Sequence, residues 1–449
     1  MAIATETATD NLHHRRFSPT LIAFILLIAR GFAALAMALS TLLMAWVLTA
    51  EDIGIALTLV STAMLASILV SLNVESGAMR FVMAARRDKR ADYIHGFVHF
   101  SHRVILVLSP IVMIGFFIAV STFVVKDLSI TSVTIAAFLI PALALSRSTA
   151  RLAGALNQVI RGGLPQLVLR PILVLSGLAI AGISGLKLTI EIVLFLFLAG
   201  TLLTILVQKL LLSSIIEPIK QARIDDTNAS EWVVSGFRLS PSLLFQDLLR
   251  DLILVLSAFG LSASDAGVFA VCLAIIMVPN LALIAIEMGF GPQISSAMTH
   301  GRKQQLDDLL KQSACLRLAS VTSTVILIQI FCVSILELFG PEYRTGETAL
   351  RILCLIPLLK ALSGNPILLL NIAGESREIL KITSAGFGLL AVIVPIAAVF
   401  AGTIGAAVSA AFGFGFVQYR FYASCQRSDL ADPSAVALLR STDDVSASA

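Results

Sequence analysis

The stretch Ala50-Glu51-Asp52-Ile53-Gly54-Ile55 decides how this sequence is organised. It joins two long apolar runs, residues 17–48 and 53–84, and it recurs 213 residues later as Ala263-Ser264-Asp265-Ala266-Gly267-Val268. In both copies an Asp precedes a Gly by two positions. An Asp there can cap the following helix, and a Gly lets two helix ends approach closely. Two such turns, each near the start of half a chain, indicate a duplicated helical bundle.

The composition indicates that lipid surrounds most of this chain. Hydrophobic residues make up 57% of it and charged residues only 13%, and the mean hydropathy is +0.94. A soluble domain carries about 25% charged residues, so a water-soluble fold could not bury this much apolar surface. Apolar runs of about 20 to 30 residues are long enough to span a bilayer as helices. The alternation typical of membrane strands is missing, so the sequence predicts an all-α polytopic membrane protein.

About twelve transmembrane helices are predicted, in two pseudo-symmetric six-helix bundles. The predicted spans are 17–48, 53–84, 98–125, 130–153, 163–184, 187–212, 236–262, 266–297, 313–338, 345–372, 377–400 and 402–424. These divide the chain into a cytoplasmic tail (1–16), an N-terminal bundle (17–212), a cytoplasmic linker (213–235), a C-terminal bundle (236–424) and a disordered cytoplasmic tail (425–449).

The charges of the loops predict the orientation. One set of loops is rich in Lys and Arg, as in residues 86–90, 147–161, 302–311 and 377–381, and the alternate loops are short and poor in them. By the positive-inside rule the basic loops and both termini are cytoplasmic. The first apolar run is too long for a signal-peptide core, so it is expected to remain as an uncleaved span.

Charged residues inside the predicted spans are the candidate site residues, because such charges usually face a bundle interior or a watery cavity. Arg170 stands before Pro171, where a local helix break is expected. Arginine pairs well with phosphate oxygens, so an anion with an apolar tail would suit a cavity lined in this way. The cationic candidates for such a cavity are Arg30, Arg80, Arg170, Arg250, Arg351 and Lys360, and the acidic ones are Glu75, Asp247, Asp251 and Glu287.

Structural pairing is the alternative for each of these charges. Glu75 could pair with Arg80, and Asp247, Arg250 and Asp251 share one face of a continuous helix and could pair among themselves. Arg80 is also near enough to the cytoplasm to snorkel. Glu347 and Arg351 have the spacing of a plain helix pair near the outer surface.

No enzyme motif is present: the sequence has no Gly-rich phosphate loop, HExxH or GxSxG. His95, His99 and His102 share one helix face, a spacing that can hold a metal, but no Cys or carboxylate accompanies them. We interpret them as a polar interfacial face and predict no metal site. The five cysteines are scattered and are interpreted as small core residues.

The sequence resembles the polysaccharide-transport branch of the MOP superfamily, the Wzx-type flippases that are relatives of the MATE exporters. The turn at residues 50–55 and the later Glu75-Ser-Gly-Ala-Met-Arg80-Phe are similar to the start of that family. Asp265-Ala-Gly-Val-Phe-Ala, with Pro279 and Pro292, looks like its eighth helix. Phe339-Gly-Pro-Glu-Tyr343, Leu350-Arg-Ile-Leu353 and Asn371-Ile-Ala-Gly374 are similar to its ninth-to-eleventh-helix region.

The resemblance implies two six-helix bundles around a central cationic cavity, alternating access, and export of an undecaprenyl-diphosphate-linked oligosaccharide across a bacterial inner membrane. The ten candidate residues would then attract the diphosphate and acidic sugars, balance the charge, or bind a coupling proton or sodium ion. No cofactor is expected. The expected partners are the lipid-linked oligosaccharide, membrane lipids and other polysaccharide-assembly proteins, but not nucleic acid. A MATE-like drug/cation antiporter and a non-transporting scaffold of a polysaccharide-assembly complex remain as alternatives.

Overall fold

The computed structural model describes residues 19–123, 128–185, 187–428 and 430–435, and within these ranges the chain forms helices and no strands. The predicted N-terminal tail and the turn residue Asp127 lie outside them. The α-helices of the first half of the chain are α1 Pro19–Val47, α2 Ala50–Ser71, α3 Ala78–Arg87, α4 Ala91–Phe123, α5 Ile130–Ala155, α6 Val159–Leu164, α7 Arg170–Ile183 and α8 Ile190–Lys220.

The second half begins after an eight-residue linker, 221–228. Its α-helices are α9 Ala229–Gln246, α10 Leu249–Ala258, α11 Ala263–Ile275, α12 Met277–Thr299, α13 Lys303–Ile330, α14 Cys332–Glu337, α15 Glu347–Leu353, α16 Leu355–Ser363, α17 Pro366–Ile372 and α18 Ser376–Arg427. Most helix packing lies within one half, and the two halves meet mainly through α1, α2 and the 3₁₀ turn Val74–Gly77 of the first half and α9 to α12 of the second.

The two repeated turns have the same local structure. The side chain of Thr49 accepts a hydrogen bond from the Asp52 backbone N–H and donates its own proton to the Asp52 carboxylate. Ser262 and Asp265 make the same two contacts before α11. The expectation that the Asp is the cap was therefore wrong. The hydroxyl residue three positions earlier is the N-cap, and the Asp completes a reciprocal arrangement like a capping box.

Nine helices of the described chain are long and apolar enough to cross a membrane, or ten when a bent pair counts as one span. That pair, Pro341–Ser363 and Pro366–Ile372, is bent by 43°. The fold class predicted from the sequence, an all-α polytopic bundle, is confirmed. The predicted seventh span falls in α9 and α10, which are separated by a break and so do not form one long apolar helix.

The longest helix, α18, folds back on itself and contains the predicted eleventh and twelfth spans. The backbone leaves helical geometry at Ala401 and Gly402, where Gly402 adopts φ 58°. Gly405 then lies against the carbonyl oxygen of Ala397, so close that a Cβ would overlap it. Eight residues of straight helix would separate these positions by about 12 Å, so the two arms form a tight hairpin.

Helices extend further than the apolar runs predicted. The linker predicted over residues 213–235 is helical up to Lys220 and again from Ala229. A span predicted from hydrophobicity ends where the side chains become polar, although the hydrogen bonds of the helical backbone continue beyond that point. The start of the predicted disordered tail is also ordered: residues up to Arg427 belong to α18, and Ala435 N–H donates to Leu362 O (2.9 Å).

Several predicted spans depart from a regular α-helix, and three of these departures adjoin candidate site residues. The second leaves helical geometry at Leu72 and Asn73, both with positive φ, and continues as a 3₁₀ turn at Val74–Gly77. The fifth contains a π-helical turn at Pro165–Leu169 just before Arg170, in line with the expected local break. The seventh is interrupted between α9 and α10, at Asp247 and Leu248. Broken spans expose backbone groups, and membrane proteins tolerate them where they are buried in protein or line a cavity.

Candidate functional site

The three breaks bring charged side chains together between the halves. Glu75, in the 3₁₀ turn, is 2% exposed and its Oε1 lies 3.1 Å from Nε of Arg147 on α5. Ser71 donates to the same carboxylate oxygen (3.1 Å), and Arg147 Nη2 donates to Ser67 Oγ (2.5 Å). The predicted Glu75–Arg80 pair is therefore absent, because the break turns Glu75 towards α5.

Two further contacts join this part of the first half to carboxylates of the second half. Arg151, one turn after Arg147 on α5, donates through Nη2 to Asp247 Oδ2 (2.9 Å). Ser61 of α2 donates to Asp251 Oδ1 (2.7 Å). The expectation that Asp247, Arg250 and Asp251 share one face of a continuous helix was wrong, because the helix stops after Gln246. The two aspartates have different partners, and both partners belong to the first half.

Two arginines of this region have no carboxylate partner. Arg170 lies within electrostatic range of Asp251 and Arg147, and Arg250 precedes Asp251 on α10. Neither forms an ion pair within the described residues, and the buried Nε of each makes no hydrogen bond. We call the following seven residues the interhalf cluster: Glu75, Arg147, Arg151, Arg170, Asp247, Arg250 and Asp251.

The interhalf cluster has an excess of one positive charge, since four arginines face three carboxylates. Arg147 and Arg151 form ion pairs with Glu75 and Asp247, whereas Arg170 and Arg250 form none among the described residues. The buried Nε of Arg147, Arg170 and Arg250 each lacks a hydrogen-bond partner. A buried donor without an acceptor costs about 1–3 kcal/mol. The cluster is therefore chemically suited to take up an additional anionic group.

Arg30 is an exposed charge on α1 and makes no ion pair among the described residues. Ile28, Phe32 and Leu35 form an exposed apolar stripe on α1. At 3.6 residues per turn, Arg30 lies on the opposite side of the helix from this stripe, yet it is also exposed. Thr41 lies on the same side of α1 as Arg30 but nearer the repeated turns, and it is buried. On this side of α1, Thr41 near the repeated turns is therefore buried and Arg30 further from them is exposed.

The remaining predicted site residues lie outside the cluster. Arg80 is exposed and its Nη2 lies 3.5 Å from Glu231 Oε1 of α9. Arg351 pairs with Glu347 (2.9 Å), as the alternative interpretation predicted, and also donates to Gln329. Lys360, on α16, has no carboxylate within 4.0 Å among the described residues.

Two buried arginines were missed by the sequence prediction. Arg147 was assigned to a basic loop, although it lies inside the predicted fourth span. Arg317 of α13 is 2% exposed and its Nη2 lies 3.5 Å from Glu287 Oε1 of α12. Their position within predicted spans was the available signal, but both lie near the basic end of a span: Arg147 was counted with a loop, and Arg317 was not considered.

Each end of the interface is held differently. We call the end with the repeated turns the turn side and the end with residues 221–228 the linker side. On the turn side, α2 and α11 pack directly together, with Gly54 against Gly267, and Trp46 Nε1 donates to Leu338 O (2.6 Å). Since the glycines lack side chains, the two helix starts meet through their backbones.

On the linker side, the start of α9 contacts the first half. Trp232 Nε1 donates to the hydroxyl of Tyr93 (2.9 Å), and Asn73 Nδ2 donates to Gly236 O (3.2 Å). The linker itself is fastened to α4, because Arg90 Nη2 donates to Asp225 Oδ2 (2.6 Å). The linker is thus docked on the first half along its length rather than being a free tether.

Neither the histidines nor the surface grooves offer a competing site. His95 Nδ1 lies 2.7 Å from the Ala222 carbonyl oxygen, and no group of three potential ligands suitable for a metal occurs among the described residues. An apolar groove of about 510 Å³ opens between the two arms of α18. Its lining includes Ile396, Val408 and Phe412, all strongly exposed, so it faces the surroundings and lies apart from the charges.

Several solved structures of membrane transporters superpose on this chain. A multidrug-resistance MATE transporter of the MOP superfamily, in its inward-facing conformation, superposes with a TM-score of 0.72 at 13% identity, over 90% of this chain and 98% of that one. The lipid II flippase MurJ in an inward closed conformation gives 0.67 at 12% identity, over 90% and 87%. The fold is therefore similar to that of these transporters.

An outward-facing MATE transporter of the MOP superfamily superposes less well, with a TM-score of 0.55 at 13% identity over 90% of this chain and 95% of that one. No protein-family model and no curated protein matches the sequence. At these identities the likeness establishes the MOP-superfamily fold, so the function must be argued from the residues of this chain.

Proposed function

We propose that this protein is a MOP-type flippase that moves an anionic lipid-linked precursor, of the undecaprenyl-diphosphate oligosaccharide class, across a bacterial inner membrane by alternating access. The observation that carries this proposal is the pair of arginines with unused donors, Arg170 and Arg250, beside carboxylates that join the two halves. Two cationic groups with free guanidinium donors suit a diphosphate, whose oxygens accept bidentate hydrogen bonds.

The position of the cluster supports transport over static binding. Its ion pair Arg151–Asp247 and its hydrogen bond Ser61–Asp251 both join the first half to the second. A ligand that draws Arg170 and Arg250 towards itself would change the balance of these contacts. Such a site at the junction of two halves, built from discontinuous helices, is the arrangement that rocking-bundle transporters use.

The shape of the interface supports closure on the turn side. The turns are in contact, while Arg30 is exposed on the inner face of α1. The halves also touch on the linker side, so these contacts would have to separate for the substrate to enter there, where the basic loops lie. A prenyl tail can stay in the surrounding lipid while the charged head moves along the interface, so the head alone needs a polar path.

The orientation follows from the positive-inside rule, which puts the linker side and both termini in the cytoplasm. A reporter that is active only outside the cytoplasm tests this. It should be active when fused at Asp127 or Arg344 and inactive at Lys89, Asp225 or Arg377. An active fusion at Asp225 would contradict both the orientation and the division into two halves of six spans.

The decisive experiment measures export of the lipid-linked precursor by cells that carry Arg170→Ala or Arg250→Ala. Each variant should reduce export while its abundance in the membrane stays close to that of the unchanged protein. Arg238→Ala is the matched control, because Arg238 is an exposed arginine of the neighbouring α9 and forms no ion pair among the described residues. Normal export by both cluster variants at full abundance would contradict the proposal.

A MATE-like drug/cation antiporter is the second candidate, favoured by the TM-score of 0.72 with a MATE transporter. The acidic members of the cluster would then bind the cation. The two candidates predict different effects of the same substitutions. For an antiporter, Glu75→Gln and Asp251→Asn should abolish antiport of a cationic drug, whereas Arg250→Ala should not. A scaffold without transport would show neither effect.

A further inference from the structure

A second buried ion pair lies in the second half, apart from the interhalf cluster. Arg317 of α13 has a side chain that is only 3% exposed. Its Nη2 lies 3.5 Å from Glu287 Oε1, a long contact for a charge-assisted hydrogen bond, and its buried Nη1 has no hydrogen-bond partner. The side chain of Glu287 is 29% exposed, so its carboxylate is partly accessible, whereas the guanidinium of Arg317 is almost fully buried.

The depth of this pair matches that of the pair in the first half. Glu75 follows Gly54 by 21 positions, and Glu287 follows Gly267 by 20. Because Gly54 and Gly267 are in contact, the two glutamates are at similar distances from the turn side. Each has a buried arginine from a neighbouring helix, Arg147 or Arg317.

Each arginine has one buried donor without a hydrogen bond, Nε of Arg147 and Nη1 of Arg317, but the two pairs differ in the number of partners of the arginine. Arg147 has Glu75 at 3.1 Å and Ser67 at 2.5 Å. Arg317 has a single partner at 3.5 Å. The guanidinium of Arg317 therefore has capacity for another acceptor.

We propose that Arg317 and Glu287 form a second anion site, in which a phosphate-type oxyanion displaces the Glu287 carboxylate and takes up the free Nη1 of Arg317. In the absence of the anion, Glu287 acts as a weak internal substitute for it. The site is distinct from the interhalf cluster, since both residues belong to the second half. The oxyanion can come from a soluble phosphate compound or from a lipid headgroup.

The test uses the purified full-length protein and inorganic pyrophosphate as the probe, with affinity measured by calorimetry. Glu287→Gln removes the competing charge and should tighten binding about tenfold, because the anion no longer has to displace a carboxylate from the guanidinium. Arg317→Lys loses the forked donor and should weaken binding. Glu347→Gln is the matched control, since it removes a carboxylate paired with an exposed arginine, Arg351, and should change nothing.

The measurement is repeated with Arg170 and Arg250 both replaced by Ala. The effect of Glu287→Gln should persist there, even if those two arginines prove irrelevant to export, so the two proposals fail separately. Nanodiscs of phosphatidylcholine with and without phosphatidylglycerol distinguish the source. Competition by phosphatidylglycerol indicates a lipid headgroup, and unchanged affinity indicates a soluble phosphate.

Two results would overturn the proposal. Pyrophosphate affinity that is unchanged in Glu287→Gln, together with a lower unfolding temperature, would show a purely structural pair. An effect of Glu287→Gln that disappears when Arg170 and Arg250 are replaced would show that pyrophosphate binds at the cluster alone. A poorly folded Arg317→Lys protein does not affect either result, because the Glu287→Gln variant keeps the arginine in place.

Discussion

Gly54 and Gly267 lie backbone against backbone where the two halves meet. A Cβ on Gly54 would be 2.7 Å from the amide nitrogen of Gly267, and a Cβ on Gly267 would be 3.0 Å from that of Gly54. The equivalent turns of the two halves thus form one contact that closes the turn side. In a mechanism of alternating access, this contact must form and break in every cycle.

Gly267→Ala should hold the turn side apart, because the added methyl group meets backbone atoms that cannot rotate away. The measurement is the distance between spin labels at Glu51 and Ser264, two exposed residues beside the contact. The distance should be longer than in the unchanged protein, and export should fall. Thr49 and Ser262 are avoided as label positions, because their side chains are helix caps.

Gly289→Ala is the control for that variant, since a Cβ at this α12 position would have no atom within 4 Å. It carries the same chemical change and should leave both the label distance and export unaltered. A normal distance in Gly267→Ala would mean that the backbones shift without opening, and the closure assigned to this contact would be wrong.

The label pair at Glu51 and Ser264 should also respond to substrate. If the halves rock about the interhalf cluster, the distance distribution has a short and a long population, and adding the lipid-linked precursor changes their proportions. The short population corresponds to the contact seen in the structure. One fixed distance in a preparation that transports would exclude rocking of these helix ends.

Glu75→Gln should destabilise the protein. Removing one partner of a buried ion pair costs about 3–5 kcal/mol, and Arg147 would keep Ser67 as its acceptor, so a loss near the lower end is expected. The free energy of unfolding in detergent is the measurement. Glu231→Gln breaks the exposed pair with Arg80 and should cost less than about 1 kcal/mol. Equal losses would show that Glu75 is not buried as described.

Asp225→Asn should release the linker from α4. Hydrogen bonds from Thr227, with Arg90 as a further cause, hold the pKa of Asp225 below its usual 3.8. A lowered pKa in the folded state means that the contribution is present above the usual pKa and disappears as the pH falls through the lowered value. Docking should therefore persist at neutral pH and be lost in strong acid.

Hydrogen exchange of the amides in residues 221–228 measures this docking. The amide of Asp225, which donates to Asp92 O (3.3 Å), should exchange faster in Asp225→Asn than in the unchanged protein at neutral pH. Asp226→Asn is the control, because the neighbouring carboxylate makes no ion pair among the described residues. Identical exchange in both variants would show that the backbone contacts alone hold the linker.

The sequence predicted the helices well because their apolar runs are long, and it predicted the close turns because two copies of one pattern agreed. It did not predict the breaks at Asn73 and Asp247. Neither a Pro nor a Gly marks these two positions, and hydrophobic periodicity does not register a few residues of irregular backbone. Since the breaks decide where Glu75 and Asp247 point, their partners could not be predicted either.

The burial of Arg147 and Arg317 could not be predicted from the sequence either. A basic residue near the end of an apolar run can belong to a loop, snorkel, or turn inward, and composition does not separate these cases. Tertiary packing decides: Arg147 turns inward because the broken second span offers it Glu75 and Ser67. The predicted pair Glu347–Arg351 was correct because its partners lie one turn apart on one helix.

The chain contains two tryptophans, and both donate their indole N–H across the junction of the halves. Trp46 does so at the turn side and Trp232 at the linker side, so the native fluorescence arises from both ends of the interface. Opening of one end would move one indole into a different environment and leave the other unchanged. When Trp46 or Trp232 is replaced by Phe, the emission of the remaining indole would report on one end of the interface alone during turnover. The two variants together would show which end opens, without an added label.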